Sequence, residues 1–192
     1  MKSFYLAIIV LLLPSISNAT LITPTTVTAT GSYNHSSGLI NDGFIPNEST
    51  HWQNAVNVWW EGTIPTFTLD LGNIYNVDDV LVSVDNNDSY AVTWSNNLST
   101  WSHLFTINVG HGEIGGGMDT MSTDNTHAEF AGPDFSSVQA RYLRIQATGG
   151  DNRYSLGEFQ AFGSIVSSVP EPSTLAVFGL GFIGLVTRRF KK

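Results

Sequence analysis

Cysteine is absent from all 192 residues, which excludes a disulfide framework, a thiolate zinc site and a cysteine nucleophile. Charge is scarce too: charged residues make up 12% of the chain, against 42% hydrophobic. Between residues 20 and 163 there is no lysine, and Arg141, Arg144 and Arg153 stand alone against fifteen acids, for a net charge of −12. A body so charged disfavours nucleic acid and anionic membrane surfaces as partners, because phosphate binding needs a positive field. Neutral sugars and divalent cations are left open. The chain also lacks an internal repeat, a Gly-x-Ser-x-Gly elbow, a His-Glu-x-x-His helix and a phosphate-cradling glycine turn. Gly110-His111-Gly112-Glu113 places a base near an acid with nothing to fix their geometry. A glycosidase with two dispersed carboxylates is the enzyme such a chain could still hide, and the expectation is that it is not an enzyme.

What the chain has is period-two alternation. Phe67, Leu69 and Leu71 alternate with Thr66, Thr68 and Asp70 up to Gly72, the pattern of a half-buried strand closed by a glycine turn. Val80, Val82 and Val84 repeat it, then Tyr90, Val92 and Trp94, then Trp101, His103, Phe105 and Ile107. Asn96-Asn97 between the last two runs suits a tight hairpin, since asparagine tolerates positive φ. Val27 and Ala29 suggest an earlier strand. Residues 42–60 read as a long connection with turns at Asp42-Gly43 and Ile45-Pro46-Asn47. The glycine-rich residues 110–133 are either a mobile insertion or a cover over one end of the sheet through Ile114, Met118, Met121, Ala128 and Phe130.

Both ends carry addresses. Lys2, the apolar run Phe4 to Leu13 and the small residues Ser17-Asn18-Ala19 read as a secretory signal helix over 1–19, cleaved after Ala19. An uncleaved anchor is the alternative, but the run is about half the roughly 20 residues that cross a bilayer. After the body at 20–163, residues 164–192 comprise a polar linker, Val169-Pro170-Glu171-Pro172, the apolar Leu175 to Val186, and the bases Arg188, Arg189, Lys191 and Lys192. This layout resembles the PEP-CTERM sorting tail of exopolysaccharide-producing Gram-negative bacteria. That resemblance implies export through the inner membrane, a C-terminal transmembrane helix held there, and cutting by an exosortase-type enzyme near the Pro-Glu-Pro. The basic cluster would stay cytoplasmic by the positive-inside rule. A buried core helix is the alternative, disfavoured by those bases and by Gly179, Gly181 and Gly184.

Within the body, Leu69-Asp70-Leu71-Gly72, the strand Val77-Asp78-Asp79-Val80-Leu81-Val82 and the run Tyr90 to Trp101 resemble the discoidin-type domain of coagulation factors and the galactose-binding-like carbohydrate-binding modules. Asp42-Gly43 with Thr50-His51-Trp52 upstream agrees, as do Arg141 to Ile145 and Leu156 to Gly163 downstream. The resemblance implies an all-β jelly-roll β-sandwich of about eight strands. It further implies a non-catalytic binding module for polysaccharide, anchored to the membrane or released to the cell surface or extracellular matrix. A structural matrix or surface protein without specific glycan binding is the second reading.

Two kinds of site follow. The Asp42 loop offers a carboxylate, the Asn47 amide and the Thr50 hydroxyl, oxygen ligands of the sort Ca²⁺ takes. In calcium-binding members of the resembled family the aspartate, the threonine and a last-strand glutamate share one ion; here these are Asp42, Thr50 and Glu158, and the expected role is structural. Six residues separate Asp42-Gly43 from Thr50, more than the family's compact loop. Without an ion Asp42 would merely cap a turn. For sugar, Trp59 and Trp60 face opposite ways on a strand, so one can be buried while the other stacks on a ring. His51, Asn86, Asn87, Arg153 and Tyr154 are the polar loop candidates for its hydroxyls. Trp52, Trp94 and Trp101 are expected in the core.

Overall fold

In the computed structural model, residues 19–112, 117–130 and 132–166 are described. The expected signal helix and the membrane helix with its Val169-Pro170-Glu171-Pro172 motif lie outside them. Among the described residues no helix is long and apolar enough to cross a membrane. Among the described residues the body is all-β: nine strands and one 3-10 turn over Ser37–Asn41. In chain order the strands are β1 (Thr20–Ile22), β2 (Thr26–Thr30), β3 (Val58–Glu61), β4 (Thr66–Asp85), β5 (Ser89–Ser95), β6 (Ser102–Ile107), β7 (Met118–Ser122), β8 (Val138–Gly149) and β9 (Arg153–Ile165).

All pairings are antiparallel and form one continuous sheet folded into two faces. The first half of β4, Thr66 to Asp70, pairs with β2 and β8, and β8 continues to β5 and β6. Its second half, from Asp79 to Asp85, pairs with β9 and β7, while the other edge of β9 takes β1 and β3. One strand therefore belongs to both faces. The sequence pattern had ended it at Gly72; instead Gly72 adopts φ +83° with its N–H on the Asp70 carboxylate, and the ladder resumes at Tyr75 beyond a register shift. A glycine can supply that positive φ without a Cβ penalty, so the strand bends between faces rather than stopping.

The faces meet in an aromatic core. Trp60 on β3 packs on Phe67 of β4 at 4.9 Å between ring centroids and on Tyr90 of β5 at 6.4 Å. Tyr154 on β9 completes the group, 6.0 Å from Trp60. The Tyr90 hydroxyl donates to the Ser155 carbonyl and accepts from the Ser155 N–H, both at 3.2 Å, tying β5 to β9 across the layers. Leu69, Val82, Val92, Leu143, Ile145 and Phe159 are buried around it, as the alternation requires.

Three local expectations change. Asn96-Asn97 does not form a two-residue hairpin: the Asn97 side chain accepts from Ser99 and Thr100 N–H, and Leu98 takes the positive φ of +61°. Trp101 is half-buried outside the core, with the Arg144 guanidinium 4.0 Å over its ring, and Trp94 only packs against the core's margin. Trp52 is likewise half-buried and sits against other aromatics at the surface. Of the 110–133 segment, Met118, Met121 and Phe130 are buried, so its described part does cover the sheet; Ile114 lies outside the described residues.

Candidate functional site

Strand β3 decides which tryptophan can meet a ligand. Trp60 is 1% exposed and faces the core, so it is withdrawn as a sugar platform. Trp59 points the other way and is half-exposed. Two ring edges hold its indole: Trp52 at 5.2 Å and 90°, and His35 at 6.4 Å and 86°. His51 stacks on Trp52 at 5.9 Å, extending the aromatic strip, while its Nδ1 accepts from the Gln53 N–H. On the other side of Trp59 lies an open recess of about 350 Å³ lined by Ser32, Tyr33, Asn34, Trp59 and Glu61.

The recess exists because the Ser32–His35 stretch returns to β3. Asn34 N–H donates to the Trp59 carbonyl at 2.8 Å, and the Asn34 side chain donates to the same oxygen at 3.3 Å. His35 accepts a positive φ of +69° to make that bridge. Tyr33 is pinned edge-on to Phe67 at 5.4 Å. Glu61 and Asn34 are exposed; the Glu61 carboxylate and the Asn34 amide oxygen can meet hydroxyls, the Asn34 nitrogen being held by the Trp59 carbonyl. Arg153 is the register partner of Glu61 across β3 and β9, which brings this exposed base beside the recess. Tyr154, in contrast, is buried beneath Trp60 and cannot touch a ligand. Sequence reading missed Tyr33, Asn34 and Glu61; the alternation on β3 was the signal available, since Glu61 follows the outward Trp59 at spacing two.

The second site lies at the Asp42 loop. A cavity of about 140 Å³ is lined by Leu21, Ile22, Thr23, Asn41, Asp42, Gly43, Glu158 and Gln160. Glu158 is fully buried; its Oε1 accepts from Gly43 N–H at 3.3 Å and from the Gln160 amide at 3.0 Å. Its Oε2 is buried with no partner. Burial pushes the Glu158 carboxyl up, and the nearby Asp42 charge adds to the rise. An orphaned carboxylate oxygen beside a second carboxylate fits a hard cation. Asn47 and Thr50 do not line this cavity: Pro46 packs beside Gly157, and Thr50 bridges to Met118 through backbone hydrogen bonds. The long loop thus carries Thr50 onto β7, with the Asn47 carbonyl accepting from the Thr50 N–H. No cluster of three or more acidic, histidine or cysteine side chains disposed to hold a metal occurs among the described residues, so an ion here would draw on amide and backbone oxygens beside Asp42 and Glu158.

Asn86 and Asn87 sit elsewhere, in the tight β4–β5 turn. The Asn86 amide donates to Asp119 at 2.8 Å and Asn87 to Asp151 at 3.4 Å. Asn86 is 5% exposed, so it cannot serve as an outward sugar contact. Burial pushes the carboxyl of Asp85 up to about 6 and that of Asp88 up to about 7, with acidic neighbours contributing to both.

A two-faced antiparallel β body with its loops gathered at strand ends, an aromatic recess and a buried loop carboxylate defines a discoidin-like class of domain. The chain belongs to the F5/8 type C domain family, whose model matches residues 22–159, and residues 168–192 match the PEP-CTERM protein-sorting motif. No curated protein sequence matches the chain. Among solved structures it is similar to CpGH89CBM32-5 from Clostridium perfringens in complex with GalNAc-beta-1,3-galactose. That match has a TM-score of 0.50 and 16% identity over 75% of this chain and 100% of the other. It is also similar to a family 89 glycoside hydrolase from Clostridium perfringens in complex with 2-acetamido-1,2-dideoxynojirmycin, with a TM-score of 0.51 and 20% identity. There the match covers 79% of this chain and 15% of that enzyme. These likenesses show the shared fold.

Proposed function

We propose that the protein is an exported, envelope-sorted, non-catalytic module that binds a neutral polysaccharide in the recess beside Trp59. The observation that carries the reading is the outward Trp59 indole, fixed at its edges by Trp52 and His35 and flanked by Asn34 and Glu61. A sugar's C–H face stacks on such a surface while planar polar groups take its hydroxyls. The acidic body selects against anionic glycans. The tail, by its match to the sorting motif, directs the domain to the envelope and to an exosortase-type enzyme, leaving the recess on the outer side of the inner membrane. At Asp42 and Glu158 a calcium ion would hold the loop against β9 and supply structural stability.

A glycan array with purified full-length protein tests the recess. Binding of a neutral saccharide is expected, weakened about tenfold in Trp59→Ala, the equivalent of roughly 1.4 kcal/mol of aromatic contact. Trp101→Ala, stacked under Arg144 on another strand, should leave it unchanged. No saccharide binding in the unmodified protein, or equal binding in both variants, would overturn the reading.

A further inference from the structure

The β4–β5 turn Asp85-Asn86-Asn87-Asp88 looks like an ordinary polar loop in sequence, yet it is enclosed. Asp85, Asn86 and Asp88 are 3%, 5% and 0% exposed. Asp119 from β7 and Asp151 from the β8–β9 turn close over it, both joined to it by the asparagine amides. Two glycines let the covering backbone come this near. A Cβ on Gly150 would fall 1.8 Å from the Asp88 carboxylate, and one on Gly112 would fall 2.5 Å from the Asn86 Cβ and 3.0 Å from Asp119 Oδ2.

Among the described residues, few donors reach the oxygens of Asp85, Asn86, Asn87 and Asp88. Asp85 Oδ1 takes the Gly117 N–H and Asp88 Oδ1 takes the Asp151 N–H. Asp88 Oδ2 and the amide oxygens of Asn86 and Asn87 are buried with no partner. The groups facing Asp85 and Asp88 electrostatically are Asp119 from β7, Asp151 from the β8–β9 turn, and each other; the Tyr90 and Tyr154 phenols feel the same negative field. None of them is a cation. The Arg141 guanidinium is paired instead with Asp70, 2.9 Å away on the β4–β8 ladder. Uncompensated buried carboxylates cost several kcal/mol each, and the Asn86 amide is an independent sign: its nitrogen is spent on Asp119, and its oxygen, on a residue 5% exposed, is buried without a partner.

We propose that this turn is a second cation site, binding one calcium ion through the Asp85 and Asp88 carboxylates and the Asn86 amide oxygen, with Asp119 and Asp151 deepening the negative field. Carboxylate and carbonyl oxygens without sulfur or imidazole are the ligand set of a hard divalent cation, and waters complete the six to eight positions. The ion would lock β5 and β7 and the β8–β9 turn together at the end of the sheet that leads into Arg153 and the recess. The site shares no residue with the Asp42 cavity, and neither depends on a glycan.

Equilibrium dialysis of full-length protein against radioactive calcium at neutral pH decides the matter. Two ions per chain are expected, falling to one in Asp88→Asn, to one in Asp42→Ala and to none in the double variant. Asp88→Asn keeps the acceptor for the Asp151 N–H; Asp85→Asn, expected to lose the same ion, serves where the first variant does not fold. Terbium provides a second readout, because Tyr90 and Tyr154 beside the turn should sensitise its emission, a signal lost in Asp88→Asn and retained in Asp42→Ala. A single ion lost in Asp88→Asn but not in Asp42→Ala would uphold this site while refuting the Asp42 cavity. An ion count unchanged by both Asp88→Asn and Asp85→Asn, or a lone ion lost only in Asp42→Ala, overturns the proposal.

Discussion

Replacing Tyr90 with phenylalanine removes one oxygen and tests how the two faces are registered. The phenol is fully buried, and its hydroxyl is both donor to the Ser155 carbonyl and acceptor from the Ser155 N–H at 3.2 Å. Each such bond contributes about 1 kcal/mol net, and a buried backbone group left without its partner costs about 1–3 kcal/mol. Tyr90→Phe keeps the ring against Trp60 and Tyr154, so no large cavity offsets or adds to that loss. The expected destabilisation is about 2–3 kcal/mol. For a domain of this size, at about 2–4 °C per kcal/mol, that is a fall in melting temperature of roughly 4–12 °C. Urea melts followed by tryptophan fluorescence measure it, with an unchanged slope expected because the exposed surface on unfolding is the same. The same residue offers a spectroscopic check. Burial holds the Tyr90 phenol well above the usual tyrosine range, so one tyrosine should resist ionisation until the protein unfolds in alkali. A loss below about 0.5 kcal/mol, or every tyrosine ionising before unfolding, would mean that β5 and β9 are not joined through this hydroxyl.

Two further outcomes follow from buried groups. In chelator-treated protein, Asp85 and Asp88 hold their protons to about 6 and 7 because burial disfavours their charge, whereas in the unfolded chain aspartate ionises near 3.9. The stabilisation is thus full below about pH 4 and is lost as pH rises through 6 to 7. Asp88 alone accounts for about 4 kcal/mol at 1.36 kcal/mol per unit; stability flat or rising from pH 5 to 8 would contradict this, and Asp88→Asn should remove most of the slope. Gly163→Ala should cost about 3 kcal/mol in denaturant melts, since its Cβ would stand 1.9 Å from the Asn76 carbonyl oxygen, a backbone atom of the neighbouring strand that cannot swing aside. A loss under 1 kcal/mol would show that β4 and β9 are less closely apposed there.

Alternation made the strands legible wherever one face is buried and the other wet, as at Phe67-Leu69-Leu71 and Tyr90-Val92. It failed at Asn73-Ile74-Tyr75-Asn76, where β4 crosses from one face to the other and its side chains no longer sort inside from outside. The opposed faces of Trp59 and Trp60 follow from strand geometry alone, but which of them is outermost required the whole sheet. Tyr33 and Asn34 could not be found in advance, because the bridge joining Asn34 to Trp59 spans residues distant in sequence. The nearness of Asp42 and Glu158 was implied by the family resemblance and not by the residues themselves. Asn86 and Asn87 read as solvent-facing because polar turns usually are; their lids, Asp119 and Asp151, arrive from later strands. Burial of a polar loop is a tertiary property, and composition cannot announce it.

The reach of β9 has a mechanical meaning. Its first residues pair with β3, which presents Trp59, and its last, Ile165, is one residue from where the described chain runs on toward the sorting tail. Were a polymer held in the proposed recess and the tail held at the envelope, a pull by flowing water would send tension down this one strand. From Leu156 to Ile165 the strand is bonded laterally to β4, so the load arrives as shear on many bonds at once rather than as peeling, the geometry in which a short ladder resists force best.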